Sequence, residues 1–461
     1  WRLVPVWLTG LAVLAGLALP VTLATPAAAQ DRTVAYVANL NSNNVSVVDT
    51  ATNTVTATIP VGNAPGDVAV TPNNERAYVT NFGDDTVSVI DTATNTVTAT
   101  IPIGDGPRDV SISSDGTRVY TANSLSDNVS VISTDTNAVI ATIPVGDLPY
   151  GVAPTPDGTR VYVANLGDDT VSVIDTATNT VIGAPIPVGD GPSALVVTPD
   201  GTRVYVTNEF GNTVSVINTA TNTVIATIPV GNAPAGVAVS PNGTRVYVPN
   251  QGDDNVSVIN TVTNTVTATI PVGDAPIGVA VTPDNNRVYV TNFNSDNVSV
   301  INTASNTVIA TFPVGDAPKD VAFATFEKTP TKLKLKVEKK KGSKGKGSKG
   351  KDGLTLKATL SAEGQPLEGQ TIEFTTDSTT LCSDTTDNEG RATCKVTGKQ
   401  DKEACYTATF AGDDTYQSST VTVCKKGDHD KPGHPDLSGQ SNAHDRAAAA
   451  MASAGLVSSQ G

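Results

Sequence analysis

Between residues 31 and 428 the 461-residue sequence has no histidine; its only three, His429, His434 and His444, lie beyond that stretch. This removes the side chain most used as general base, proton shuttle and neutral metal ligand. The four cysteines are confined to Cys382, Cys394, Cys405 and Cys424, so residues 31–381 offer no thiol nucleophile either. Serine–histidine and cysteine–histidine hydrolysis, and histidine-dependent lyase chemistry, are thereby excluded. Leucine is scarce, methionine occurs once, and no run of apolar residues at helical spacing appears between residues 31 and 328. A helical fold is excluded, and valine and threonine, which favour strands, dominate instead.

What is present is a repeat. A strand ending in Tyr-Val-Thr-Asn or a close variant recurs with its tyrosine at Tyr36, Tyr78, Tyr120, Tyr162, Tyr205, Tyr247 and Tyr289, at steps of 42, 42, 42, 43, 42 and 42 residues. A period near 40 with four short β-patterns per unit is the signature of a propeller blade. In the unit from Pro234 to Gly273, Asn242-Gly243 turns the first strand into the second, Gly252-Asp253-Asp254 turns the second into the third, and Thr263-Asn264-Thr265 turns the third into the fourth. The pattern starts on a second strand, Thr33 to Asn39, and stops after a lone first strand, Lys319 to Ala324. Pairing those ends closes the ring without an exposed sheet edge. The expected fold is all-β: a seven-bladed propeller of four-stranded antiparallel blades, one blade closed by the N- and C-terminal strands, followed by an immunoglobulin-like β-sandwich. Pro154, in a first strand, is expected on the free edge facing the channel, because it cannot donate to a ladder. The asparagines closing each second strand (Asn39, Asn81, Asn123, Asn165, Asn208, Asn250, Asn292) are expected to bond to the following turn. Arginines such as Arg118 and Arg245 are expected to pair with turn aspartates.

These units resemble the YVTN family of β-propeller repeats, with the resemblance covering Thr33 to Phe326. It implies a seven-bladed ring exported to the cell envelope, as in secreted or surface-layer proteins, and brings little chemistry with it.

Residues 1–29 read as a secretory signal, an apolar stretch closing on Ala27-Ala28-Ala29 before Gln30. The propeller is expected over residues 30–327, a second domain over 328–426, and a disordered tail over 427–461. No segment of the mature chain is expected to span a membrane. The second domain alternates strands and glycine turns, in GQPLEGQTIEF (Gly364 to Phe374), TTDNEGRATC (Thr385 to Cys394) and YTATFAGDDTY (Tyr406 to Tyr416). These phrases resemble bacterial immunoglobulin-like domains of envelope adhesins. An even cysteine number in an exported protein suggests two disulfides, and of three connectivities the two local hairpins, Cys382 with Cys394 and Cys405 with Cys424, are the simplest. Within this domain residues 339–351 form an overlong basic loop carrying Lys339, Lys340, Lys341, Lys344, Lys346, Lys349 and Lys351.

The acidity belongs to the ring: residues 31–326 hold 27 acids against nine bases, a net of −18. One rim collects most of it, at Asp84, Asp85, Asp168, Asp169, Asp253 and Asp254 in the second-to-third turns and at Asp105, Asp147, Asp190, Asp274 and Asp316 between blades, with Asp67, Asp109 and Asp320 nearby. Such a field repels nucleic acid and favours cations or basic partners. These carboxylates are candidate Ca²⁺ ligands, although no Asp-x-Asp-x-Asp-Gly loop is present and aspartates also serve as ordinary turn residues. No other cofactor is expected. The lysine loop mirrors the acidic rim as a candidate grip on anionic wall polymer.

The expected function is therefore that of a secreted, envelope-associated binding or structural protein, adhesin- or surface-layer-like, with a protein or cell-wall polymer as partner and no catalysis. The alternative is a metal-dependent, lactonase-like hydrolase of small metabolites, since acid and asparagine ligands in a propeller channel need no histidine. That would require unlike residues at equivalent blade positions. Glu209, Tyr150, Arg108, Lys319 and Pro249 are the main departures from the repeat, and in the sequence they form no obvious acid–base pair. A haem- or quinone-linked ring is disfavoured by the lack of Cys-x-x-Cys-His and of an axial histidine.

Overall fold

The computed structural model describes residues 32–340, 353–376, 379–396, 404–413 and 415–424, so the expected signal, the tail and most of the lysine loop lie outside the described residues. Two compact units separate near Thr329. In the first, seven four-stranded antiparallel sheets use residues 32–326. Six are continuous in sequence. The seventh pairs Arg32–Asn39 with Pro318–Phe326, Arg32 opposite Phe326 and Asn39 opposite Pro318, so the two ends close the ring as expected.

Turn chemistry sets the blades. Every third-to-fourth turn holds an asparagine in the left-handed region (Asn53, Asn95, Asn137, Asn179, Asn222, Asn264, Asn306), the conformation asparagine tolerates best after glycine. The single 43-residue step leaves its mark in the fourth blade, where one extra residue splits the outer strand into Thr180–Val181 and Ile186–Pro187 around Gly183, at φ 73°. Pro154 ends the inner strand Pro149–Pro154, which pairs on one side only, so proline occupies the free edge.

Between blades, the tyrosines of the repeat are buried and several reach across to the next blade. Tyr162 Oη donates to Asn222 Oδ1 at 2.8 Å and Tyr205 Oη to Asn264 Oδ1 at 2.9 Å. The arginines two residues earlier do not pair with turn aspartates. They donate to backbone carbonyls of the next blade, Arg118 to Thr176 O at 2.6 Å and Arg160 to Thr219 O at 2.7 Å. In the sixth blade Arg245 also takes Asn306 Oδ1, and Tyr247 Oη is left buried without a partner. The asparagines closing each second strand likewise bond differently from expectation: Asn39 Nδ2 donates to Asn44 Oδ1 at 2.8 Å and Ser46 Oγ at 2.9 Å, stitching two strands rather than a turn.

The tyrosines make a stability prediction. Tyr162→Phe is expected to cost about 1 kcal/mol, the net worth of one hydrogen bond, and Tyr247→Phe to be neutral or slightly stabilising, since it removes an orphaned hydroxyl. Urea unfolding of both variants checks this. Equal losses would refute it.

In the second unit, Thr331–Lys340 pairs with Gly353–Ala362, which also pairs with Gln365–Pro366 and Arg391–Val396. The other sheet runs in the order Thr379–Thr385, Thr371–Thr376, Cys405–Phe410, Ser419–Cys424. Alternate residues such as Leu356, Phe374, Ala392, Tyr406 and Phe410 are buried, as a sandwich requires. Cys382 is bonded to Cys394 and Cys405 to Cys424. Only the second pair sits on a hairpin: Cys405 and Cys424 are directly opposite, whereas Cys382 and Cys394 belong to different sheets, which their bond ties together. Lys339 and Lys340 end a strand, while Lys341, Lys344, Lys346, Lys349 and Lys351 fall outside the described residues. No helix among the described residues is long and apolar enough to cross a membrane.

Candidate active site

The rim aspartates are exposed or nearly so, and many serve the backbone. Asp85, Asp169 and Asp254 each accept a hydrogen bond from the main chain of the blade-to-blade link, at Gly106 (2.8 Å), Gly191 (2.8 Å) and Ala275 (2.9 Å). Asp84, Asp168 and Asp253 accept from the backbone N–H of Asn63 (2.6 Å), Asp147 (2.7 Å) and Asn232 (2.8 Å). Asp105, Asp147, Asp190, Asp274 and Asp316 stand exposed on the same links. Among the described residues, no group of three or more His, Cys, Asp or Glu side chains is placed to hold a metal ion.

The unlike residues gather elsewhere, around a channel cavity of about 430 Å³ bounded by the inner strands. One position from every blade and a second position from two blades build its mouth. The residue after the proline that opens each inner strand is Gly66, Arg108, Tyr150, Ser193, Ala235, Ile277 or Lys319, and all seven line the cavity. The residue after each second-strand asparagine is Leu40, Phe82, Ser124, Leu166, Glu209, Gln251 or Phe293, of which Glu209 and Gln251 line it. Thus Arg108, Tyr150, Glu209 and Lys319, scattered departures in the sequence, share one cavity. Pro249, the remaining departure, does not line it.

Arg108 is held by its neighbours. Its guanidinium carbon lies 4.0 Å from the Phe82 ring centre and 5.0 Å from that of Tyr150, and its Nε donates to Ser124 Oγ at 3.4 Å. The Lys319 ammonium is 5.9 Å from the Phe293 ring centre. Neither cation forms an ion pair with another described residue, so both charges remain available to a ligand. Burial raises the pKa of the half-buried Glu209 above its ordinary value, while the positive charges of Lys319 and Arg108 restrain the rise. A carboxylate raised in this way, with two cations close by, has the character of a general base.

One residue deeper, three blades contribute carboxyls where the other four have glycine or alanine: Asp67, Asp109 and Asp320 against Gly151, Ala194, Gly236 and Gly278. Counted from sequence as part of the rim, they belong to the channel. Asp67 Oδ2 accepts from Val110 N and Asp109 Oδ2 from Val152 N, each at 2.7 Å, clasping successive blades. Asp109 and Asp320 keep some surface on the channel but are otherwise enclosed. Burial first, and the neighbouring Asp67 charge second, push both pKa values well above the ordinary carboxyl range. The folded chain thus holds protons that the unfolded chain releases near pH 4. Stability contributed by Asp109 and Asp320 is full below that pH and is lost as pH rises through their folded-state values, each unit of upward shift being worth about 1.4 kcal/mol. Asp109→Asn is expected to flatten this decline and leave stability near pH 4 little changed, as read by denaturant midpoints across pH. An unaltered pH dependence would refute the assignment.

A family profile described as "Lactonase, 7-bladed beta-propeller" matches residues 27–140 and 149–313, and one described as "Bacterial Ig-like domain (group 1)" matches residues 341–424. No curated protein sequence matches the chain. Among solved structures, a protein of Bacteroides uniformis provisionally assigned as a 6-phosphogluconolactonase is similar at 18% identity and a TM-score of 0.55, over 64% of this chain and 100% of that one. A second such protein, from Bacteroides fragilis, is 19% identical with a TM-score of 0.54, over 65% and 99%. Kuenenia stuttgartiensis hydrazine synthase is 23% identical with a TM-score of 0.52, over 56% and 88%. At these identities the structural likeness speaks to the fold alone.

The lactonase match overturns the expectation of a non-catalytic, adhesin- or surface-layer-like binding protein, and supports the hydrolase alternative. The inference failed because Glu209, Arg108, Tyr150 and Lys319, which form no obvious acid–base pair along the sequence, come together only in the closed ring. The YVTN surface-layer resemblance is not confirmed by these matches.

Proposed function

Because the chain belongs to the seven-bladed β-propeller lactonase family, we propose that its ring hydrolyses a lactone at the channel mouth. The observation that carries this reading is the placing of Glu209, with its raised pKa, in one cavity with the unpaired cations Arg108 and Lys319. In the proposed reaction the Glu209 carboxylate takes a proton from a water molecule as the water oxygen adds to the lactone carbonyl carbon. The carbonyl electron pair moves onto its oxygen, where the charges of Arg108 and Lys319 stabilise it. The intermediate collapses by breaking the ring C–O bond, and the proton on Glu209 passes to the departing alkoxide. Lactone and water yield one hydroxy acid.

No step is routed through a metal, since among the described residues no group of three or more His, Cys, Asp or Glu is placed to hold one. The two disulfides and the immunoglobulin-like unit support an exported enzyme, in keeping with the apolar stretch at residues 1–29. The test is titration of the acid released from a panel of γ- and δ-lactones by the full chain, with and without EDTA. Turnover insensitive to EDTA is expected. No turnover of any lactone would sink the proposal, and loss of turnover in EDTA would sink its metal-free form.

A further inference from the structure

The cavity changes character with depth. On four blades it touches only the upper end of the inner strand, but along Pro107–Ile112, Pro149–Pro154 and Pro192–Val197 it follows the strand to its last residue. Four residues of strand from Arg108 to Ile112 correspond to a descent of roughly 13 Å. At the top stand Arg108, Tyr150 and Glu209; at the bottom the lining is Ser111, Ile112, Ala153, Pro154, Val196 and Val197, with one hydroxyl among them.

Pro154 adds to this. The inner strand turns its unpaired edge to the channel, and proline removes the N–H that any other residue would place there. The deep wall on these three blades therefore has an apolar side-chain lining and one fewer backbone donor than its neighbours. A polyhydroxylated ligand filling the cavity would need partners for its hydroxyls at this end, where the side chains offer only that of Ser111 and the rest must come from unpaired strand-edge backbone. An alkyl chain would not.

We infer that the substrate is a lactone bearing an apolar chain, its ring at the charged mouth and its chain lying down the channel against Ile112, Pro154 and Val196. This rests on the lactone-hydrolysis reading and specifies its substrate class. Burying one methylene changes an equilibrium constant by about three- to fourfold. Affinity should therefore climb with chain length until the cavity is full.

The test separates binding from catalysis on the full chain. Binding of 5-alkyl-2-pyrrolidinones, lactams not expected to turn over, is measured by calorimetry with no substituent and with methyl to hexyl chains. Hydrolysis is measured for the matching γ-lactones and for glucono-δ-lactone. Lactam affinity and lactone kcat/KM are both expected to rise by about three- to fourfold per methylene. The variants Ile112→Thr and Val196→Thr, the second nearly isosteric, should flatten both slopes. A lactam series whose affinity does not change with chain length, or a preference for glucono-δ-lactone, overturns the inference. A steep lactam series without hydrolysis of any lactone supports the apolar channel and overturns the catalytic reading instead.

Discussion

Glu209→Gln should lower kcat for lactone hydrolysis by about 100- to 10,000-fold, the usual contribution of a positioned general base, with a much smaller change in KM. Glutamine keeps the shape and polarity of the side chain but cannot accept the proton from water. Because the pKa of Glu209 is raised by burial, the wild-type rate should fall on acidification with a midpoint above the ordinary glutamate value. The base works only when ionised, so activity is present above that midpoint and lost below it. Lys319→Met and Arg108→Met each remove a charge that restrains the rise, and should move the midpoint further up as well as slowing the reaction. A structural role for Glu209 could reduce activity but would not tie the acid limb to these cations. Initial rates between pH 4 and 9 for the wild type and the three variants decide the matter. Unchanged kcat in Glu209→Gln would remove Glu209 from the chemistry.

Ala324→Asp in the closing strand should destabilise the ring by about 3 kcal/mol or more. Ala324 has no exposed surface and packs in the cluster formed by Val34, Tyr36, Val68 and Val79. The cation nearest along the seam, Arg32, is diagonal to Ala324 and is already paired with Asp49 at 4.0 Å, so the new carboxylate must either be buried in an apolar cluster or pull Pro318–Phe326 away from Arg32–Asn39. The same strand sets Phe323 edge-on against Tyr289, with ring centres 5.1 Å apart, so its release loosens the blade on either side of the seam. The loss is a large part of the 5–15 kcal/mol that holds a typical domain together. As a control, Val262→Asp introduces the same charge at a turn residue that is 81% exposed, and should change stability by no more than about 0.5 kcal/mol. Denaturant unfolding of both variants is the measurement. Similar losses at the two positions would mean that closure of the seam is not what holds the ring.

The sequence by itself determined the ring: seven tyrosines at a near-constant step, asparagines at the turns, and a first strand left over at one end for the three at the other. These are local or periodic properties, set by turn conformation and by the alternation of valine with polar residues, and the structure repeats them blade by blade. The extra residue between Tyr162 and Tyr205 was visible as the single 43-residue step, but only the structure places it in a split outer strand. The site was legible only in part. Glu209, Arg108, Tyr150 and Lys319 stood out as departures from the repeat, but nothing along the chain says that residues 101 positions apart line one cavity. Closure of the ring decides that, since it brings the same two positions of every blade to a common axis. It also decides that Asp109 and Asp320 come close to Asp67 in the channel, where burial and the Asp67 charge hold protons on these two carboxyls. Low dielectric and convergence are properties of the enclosed channel. They have no counterpart in a linear sequence, which is why the departures from the repeat formed no obvious acid–base pair when read along the chain.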